Sequence, residues 1–141
     1  MLGKTHLGGG IVTALLLCSG DIVSSIYVMF GSMLPDIDHP GSIIGKNVPL
    51  LPKLLKHRGM THSILFCVII SFINIWLGIG CSVHVLMDMM TRQGVELFYP
   101  IKKKIRFPLA KYIVTNGLFE KILFYGCYLL IGYLLYNILL T

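Results

Sequence analysis

Residues Leu118 to Leu140 form an apolar run, nearly uncharged after Lys121, long enough to cross a ~30 Å hydrocarbon core as a single helix. Tyr125, Tyr128, Tyr133 and Tyr136 edge it, a pattern of interface or packing aromatics rather than of ligands. The other apolar runs are shorter, and histidines or carboxylates stand at their ends. His6 to Ser19 reads as one helix and Ile22 to Leu34, stopped by Pro35, as the next. At ~1.5 Å per residue each is only ~20 Å long, too short to cross alone. A third stretch opens at His62 and runs past Trp76 to a soft point at Gly78-Ile79-Gly80, after which a helical pattern resumes and carries His84 and Asp88. The expected fold is all-α: a single membrane-embedded helical bundle with short hairpins at 6–34 and 62–91, a loop at 35–61, a basic loop at 92–117 and a C-terminal transmembrane helix at 118–140.

Composition supports a membrane protein, with 55% apolar and only 13% charged residues. The net charge of +6 comes from Lys and Arg in the connecting segments, which favours anionic headgroups on the cytoplasmic face. No nucleic-acid-binding motif is present, and none is expected as a partner. Lys46, Lys53, Lys56 and Arg58 lie in the first loop, and Lys102-Lys103-Lys104 with Arg106 in the second. If both loops are cytoplasmic, the segment between them must enter and return. The expected location is therefore the cell (inner) membrane, multi-pass, with the loops on the inner side. Lys4 before the run from Ile11 to Cys18 superficially resembles a secretory signal, but leucines precede Cys18 where a cleavage site wants small residues. Cys18, Cys67, Cys81 and Cys127 have no Cys-x-x-Cys spacing and read as buried free thiols.

The chain holds five His and six Asp or Glu, and all five His and three of the acids fall in a few clusters at the ends of apolar runs. These are His6, the Asp36-Ile37-Asp38-His39 run, the block His57-Arg58-Gly59-Met60-Thr61-His62-Ser63, and His84 with Asp88. Ionisable groups at that depth are costly, so a shared function is the default hypothesis. His84 and Asp88, four apart on a helix, share a face on which one cation can be held, although such a pair is often a plain side-chain contact. Asp36 and Asp38 suit a ligand and its neighbour, or an Asx turn that stops a helix. His6 and His62 are ligands or interfacial histidines. If both hairpins begin and end on one side, all these groups converge. Nitrogen and oxygen donors without a usable thiolate suit Zn²⁺ or Mn²⁺, one ion or two, with activated water as nucleophile. Arg58 and His57 can grip a phosphate, or Arg58 and the lysines simply meet lipid headgroups.

Thr5-His6, Leu34-Pro35-Asp36-Ile37-Asp38-His39-Pro40, His57 through Ser63, Gly80 ahead of His84-Val85-Leu86-Met87-Asp88, and the later Gly94 and Pro100 together resemble the YdjM-like membrane-bound metal-dependent hydrolases, over about residues 4–101. The ordered His-Arg-Gly-x-Thr-His-Ser block is the specific part. The family is thought to be remotely related to zinc-dependent phospholipase C and to single-strand nucleases, which are helical and hold metals with His and Asp. The resemblance implies a metal-dependent phosphoester hydrolase at the membrane surface, acting on an amphiphile such as a phospholipid or polyprenyl phosphate. Carried over, His6, Asp36, His62, His84 and Asp88 are the metal ligands, Asp38 or Asp36 is a ligand or general base, and His57 and Arg58 contact substrate. The distant soluble relatives also use a backbone amine and a further Glu. Neither has a match here, Glu96 and Glu120 being candidates for the Glu with no motif to support them. Two other classes fit the same residues: an ion- or proton-coupled transporter, and a non-catalytic membrane protein in which a metal staples short helices. Homo-oligomerisation is left open.

Overall fold

The computed structural model describes residues 1–108, 110 and 113–140. Of the basic loop at 92–117, residues 109, 111 and 112, with Lys111 among them, lie outside the described residues. The rest is helical apart from turns and one antiparallel bridge, Val95 with Ile105.

Helix α1 (Gly3–Leu17) and α2 (Ile22–Gly31) form the first hairpin. Ser19 and Gly20 turn the chain with φ of 45° and 84°. Asp21 then caps α2, its Oδ1 accepting from Val23 N at 3.1 Å. Pro35 opens a 3₁₀ turn at Leu34–Asp38, and α3 (Leu51–Leu54) is a single turn in the loop beyond. Ser63 caps α4 (Ile64–Ile73), accepting from Phe66 N at 3.2 Å. Helix α5 (Ile75–Met89) runs back, and α6 (Leu118–Leu140) ends the described chain.

The expected hairpins are present with shifted ends. Helix α1 starts at Gly3, so His6 sits within its second turn rather than at its mouth. The second hairpin breaks at Asn74, not at Gly78-Ile79-Gly80. Asn74 is extended, at φ −156° and ψ 125°, and its Oδ1 accepts from Trp76 N and Leu77 N, starting α5 anew. The glycines serve close packing instead. A Cβ on Gly80 would lie 2.2 Å from the Val28 carbonyl oxygen, and one on Gly31 would lie 2.3 Å from that of Leu77. Glycines at both faces let α2 and α5 touch backbone to backbone.

Helix α5 is the hub, packed on α1, α2 and α4, while α6 rests on α1. Polarity is distributed opposite to that of a water-soluble globule. The largest fully buried side chains begin with His6, His62, His84 and Glu120, whereas Phe72 is 88% and Leu139 84% exposed. So much apolar surface facing outward marks a membrane environment. Helix α6, with 23 residues, is the one described helix long and apolar enough to cross a membrane. At 10 and 15 residues, α4 and α5 are too short to do so upright.

Candidate metal centre

Three imidazoles and two carboxylates meet where the first turns of α1, the last turns of α5 and the 3₁₀ turns Leu34–Asp38 and Met60–His62 come together. His84, one turn before Asp88 on α5, has its Nδ1 2.7 Å from the carbonyl oxygen of Ser32, just past α2. A carbonyl only accepts, so Nδ1 carries the proton and the Nε2 lone pair is left pointing at the cluster. The His6 ring stacks on that of His84 with centroids 3.6 Å apart, and its Nε2 stands 3.3 Å from Asp88 Oδ1. His62, in the 3₁₀ turn Met60–His62, places Nε2 3.2 Å from His84 Nε2, 3.5 Å from Asp88 Oδ2 and 3.7 Å from Asp36 Oδ1. Asp36 Oδ1 is also 3.6 Å from His84 Nε2.

Asp38 stands behind these groups. Its Oδ1 is 2.7 Å from His57 Nδ1, and its Oδ2 accepts from Arg58 N at 3.1 Å and Thr61 Oγ1 at 2.5 Å, with His62 Nδ1 at 3.3 Å. One carboxylate thus orients two histidines that face different ways. Arg58 adopts the left-handed conformation, φ 65°, which a non-glycine residue holds only when its surroundings enforce it. Its buried guanidinium donates from Nη1 to Thr91 Oγ1 at 2.8 Å and from Nη2 to Asp88 Oδ1 at 3.1 Å. The Met1 amino group stands 2.5 Å from the same Asp88 oxygen.

Electrostatics follow from this crowding. Burial pushes the His62 imidazolium toward losing its proton, but the carboxylates of Asp36, Asp38 and Asp88 outweigh it and hold the group up at about 10. Burial likewise raises Asp36, yet the hydrogen bond from His62 and the charges of His84 and His6 bring it down to about 2. Burial raises Asp38 too, and hydrogen bonds from His57, His62 and Thr61 return it well below the usual carboxylate range.

Several buried atoms have no hydrogen-bond partner: both His6 ring nitrogens, Arg58 Nε and Asp88 Oδ2, the last having only ion contacts, with Arg58 Nη2 at 3.1 Å and His62 Nε2 at 3.5 Å. Unpaired polar atoms at that depth cost several kcal/mol unless something else satisfies them. The facing donors lie 3.2 to 4.0 Å apart, bracketing the ~3.3 Å edge of a tetrahedron with ~2.0–2.1 Å metal–nitrogen bonds. His6, His62, His84, Asp36 and Asp88 therefore fit a divalent ion. Groups of His6 with Asp36 and His84, and of His62 with His84 and Asp88, each bring one atom per residue within 4.8 Å. Because the two share the single free nitrogen of His84, they describe one centre; Asp36, Asp38, His57 and His62 form a further group at the same spacing beside it.

A cavity of about 590 Å³ opens onto this centre, lined among others by Asp36, His39, His57, Arg58, Lys4 and Gln93. Glu96 and Glu120 do not join the cluster. Glu96 pairs with Lys56 Nζ at 2.6 Å, and Glu120 accepts from Leu2 N, from Thr5 Oγ1 at 3.1 Å and from Asn116 N at 2.5 Å. Sequence reasoning missed the supporting groups. Thr61 stood out only as a member of the block at 57–63, with no role attached to it, Thr91 carries no sequence signal that separates it from other threonines, and the carbonyl of Ser32 is legible only in the fold.

An all-helical membrane protein with a buried His/Asp centre at one end of its helices is the class these features define. Within that class, the chain belongs to the YdjM inner membrane protein family, whose model matches residues 1–139. It is 34% identical to YvsG of Bacillus subtilis (strain 168) over 154 aligned positions, covering 96% of this chain and 95% of that protein. It is also 33% identical to the inner membrane protein YdjM of Escherichia coli (strain K12) over 96 positions, 55% of this chain and 49% of that protein. The YdjM of Shigella flexneri matches to the same extent. No solved structure matches.

Proposed function

We propose that this protein is a membrane-bound, divalent-metal-dependent hydrolase of a phosphoester, with a lipid phosphate or phospholipid as substrate. The observation that carries the reading is the convergence of buried His6, His62, His84, Asp36 and Asp88 at metal-ligand spacing, with both ring nitrogens of His6 left without a hydrogen bond. Zinc suits the donor set, and manganese is the runner-up. When bound there, such an ion supplies Lewis acidity toward a phosphoryl oxygen and lowers the pKa of a coordinated water.

The chain's own groups supply the rest. Arg58 lines the polar mouth and sets its positive charge beside the centre, its Nη groups held by Thr91 and Asp88. Asp38 holds Nδ1 of His57, whose side chain is 33% exposed to the cavity, so the far nitrogen of His57 is placed to pass a proton to or from the reacting oxygens. Lys4 adds positive charge at the rim. The hydrogen bond from Glu96 N to the Arg58 carbonyl and the Val95–Ile105 pairing tie both basic segments to the end that carries the centre. A positive-inside bias then turns that end toward the cytoplasm in a multi-pass arrangement.

The test is turnover by zinc- or manganese-loaded protein on a panel of phosphatidate, phosphatidylglycerol, polyprenyl phosphate and soluble phosphoesters. Hydrolysis is expected for at least one amphiphilic phosphate, with His57→Ala losing turnover while keeping its metal. Full metal occupancy without turnover of any phosphoester contradicts the reading, and cation flux in liposomes without product would replace it with a transporter.

A further inference from the structure

Beside the centre, and separate from its polar mouth, lies a groove of about 510 Å³ between α1, α5 and α6. Its walls are almost wholly apolar. Gly9 and Thr13 line it from α1, Val83 and Met87 from α5, and Leu123 and Gly126 from α6. Val83 and Met87 are the chain neighbours of His84 and Asp88, so the same turns of α5 present the groove on one face and the metal-ligand candidates on another.

Packing on either side keeps the groove from closing. A Cβ on Gly9 would lie 2.5 Å from Met87 Sδ, and one on Gly8 would lie 3.2 Å from the Tyr128 ring, so α1 is already in contact with both neighbours. Gly126 is the reverse, because nothing stands within 4 Å of where its Cβ would be. It occupies the middle of the row Ile122, Gly126, Leu130, spaced four apart on the face of α6 that borders the groove.

The groove also leads somewhere. It shares Met90, Ile122 and Leu123 with a smaller cavity of about 140 Å³ that takes in Met1 and Phe119. Met1 in turn lines the polar mouth together with Asp36 and Arg58. The groove, the smaller cavity and the polar mouth therefore lie in succession toward the charged end of the bundle, with Met1 as the wall between the last two. We infer that this groove seats the hydrocarbon chain of a single amphiphilic substrate whose phosphate rests at the polar mouth, entering sideways from the membrane. The inference rests on the phosphoester reading above and extends it by assigning the chain subsite.

The test uses full-length zinc-loaded protein in nanodiscs of zwitterionic lipid and dodecyl phosphate carrying a diazirine at its terminal carbon. Photolabelled residues are mapped by peptide mass spectrometry, with the matching diazirine alcohol as a second probe. Labelling is expected to concentrate on Val83, Met87 and Leu123, and to fall by about 10-fold in Gly126→Trp, since close-packed space does not hold both an indole and a chain. Gly126→Leu gives a smaller decrease and covers the case in which the tryptophan variant fails to fold. Leu129→Trp, at an outward position 76% exposed, is expected to change nothing. Label spread evenly over the outward face of α6, or label in the groove that is indifferent to Gly126→Trp and Gly126→Leu, overturns the subsite. Chain-to-chain crosslinks through these same residues also overturn it, in favour of a second copy packed on the groove. Groove labelling that is blocked by the variants but equal for phosphate and alcohol keeps the chain subsite and overturns the phosphoester reading instead.

Discussion

His57 Nδ1 lies 2.7 Å from Asp38 Oδ1, and the other oxygen of the same carboxylate faces His62 Nδ1 at 3.3 Å. Asp38 thus stands between a histidine that looks into the open cavity and one that looks into the buried centre. On the proposed reading it links the histidine that would bind the ion to the one that would handle the proton.

Asp38→Asn tests that position. The amide keeps the shape but loses the charge that orients both rings, and such outer partners are worth ~10–100-fold in metal affinity or activity. Zinc affinity is expected to fall within that range, and turnover to fall further because His57 is also released. Calorimetric zinc titration together with the phosphoester assay measures both. An unchanged affinity and rate contradict the assignment.

Metal uptake is expected to release protons. With His62 held up at about 10 in the metal-free protein, its ring carries a proton at pH 7 that an ion must displace. Apparent affinity then rises by about 10-fold per pH unit above neutrality for that one proton. Titrations in buffers of different ionisation enthalpy count the protons directly. For the metal-free protein the sign is opposite: a raised histidine contributes stability that is fully present below its unfolded value of 6.5 and lost as the pH rises through about 10. Asp36, brought down to about 2, contributes stability above its unfolded value of 3.8 that is lost as the pH falls through about 2. Thermal melts of metal-free protein across pH check both limbs.

Gly80→Ala is expected to destabilise by about 1–3 kcal/mol, because a methyl group there meets the Val28 carbonyl and pries α2 from α5. The same change at Gly132, where nothing lies within 4 Å of a Cβ, serves as the control and is expected to leave the melting temperature nearly unchanged. Since α2 delivers the Ser32 carbonyl to His84, the Gly80 variant is also expected to lose metal affinity. Equal melting temperatures for the two variants contradict the close-packing role.

The hairpins and the convergence of polar groups were legible because His and Asp are rare in this chain and stand at the ends of apolar runs. The break in the second hairpin was misplaced because a glycine pair signals either a soft point or a close approach, and sequence does not say which. Asn74 carried the better signal, an N-cap directly before Ile75-Trp76-Leu77. The start of α1 was set too late because Gly3 and Lys4 resemble a polar leader, while Leu2 N and Thr5 are in fact tied to Glu120, 115 positions away from Thr5. Contacts at such separation, like those of Thr61 with Asp38, Thr91 with Arg58 and the Ser32 carbonyl with His84, exist only once the chain is folded. The division of labour among the aspartates has the same origin: positions two apart in one 3₁₀ turn send Asp36 toward the donors and Asp38 behind them.

The measurement that bears most directly on the centre is the metal content of detergent-purified protein by elemental mass spectrometry, for wild type beside Asp88→Asn and His62→Ala at matched folding state. Wild type is expected to hold near-stoichiometric zinc or manganese, and both variants to lose it. Wild-type protein that stays free of metal after reconstitution with either ion, while folded and monodisperse, would contradict the assignment of these five side chains as a metal centre.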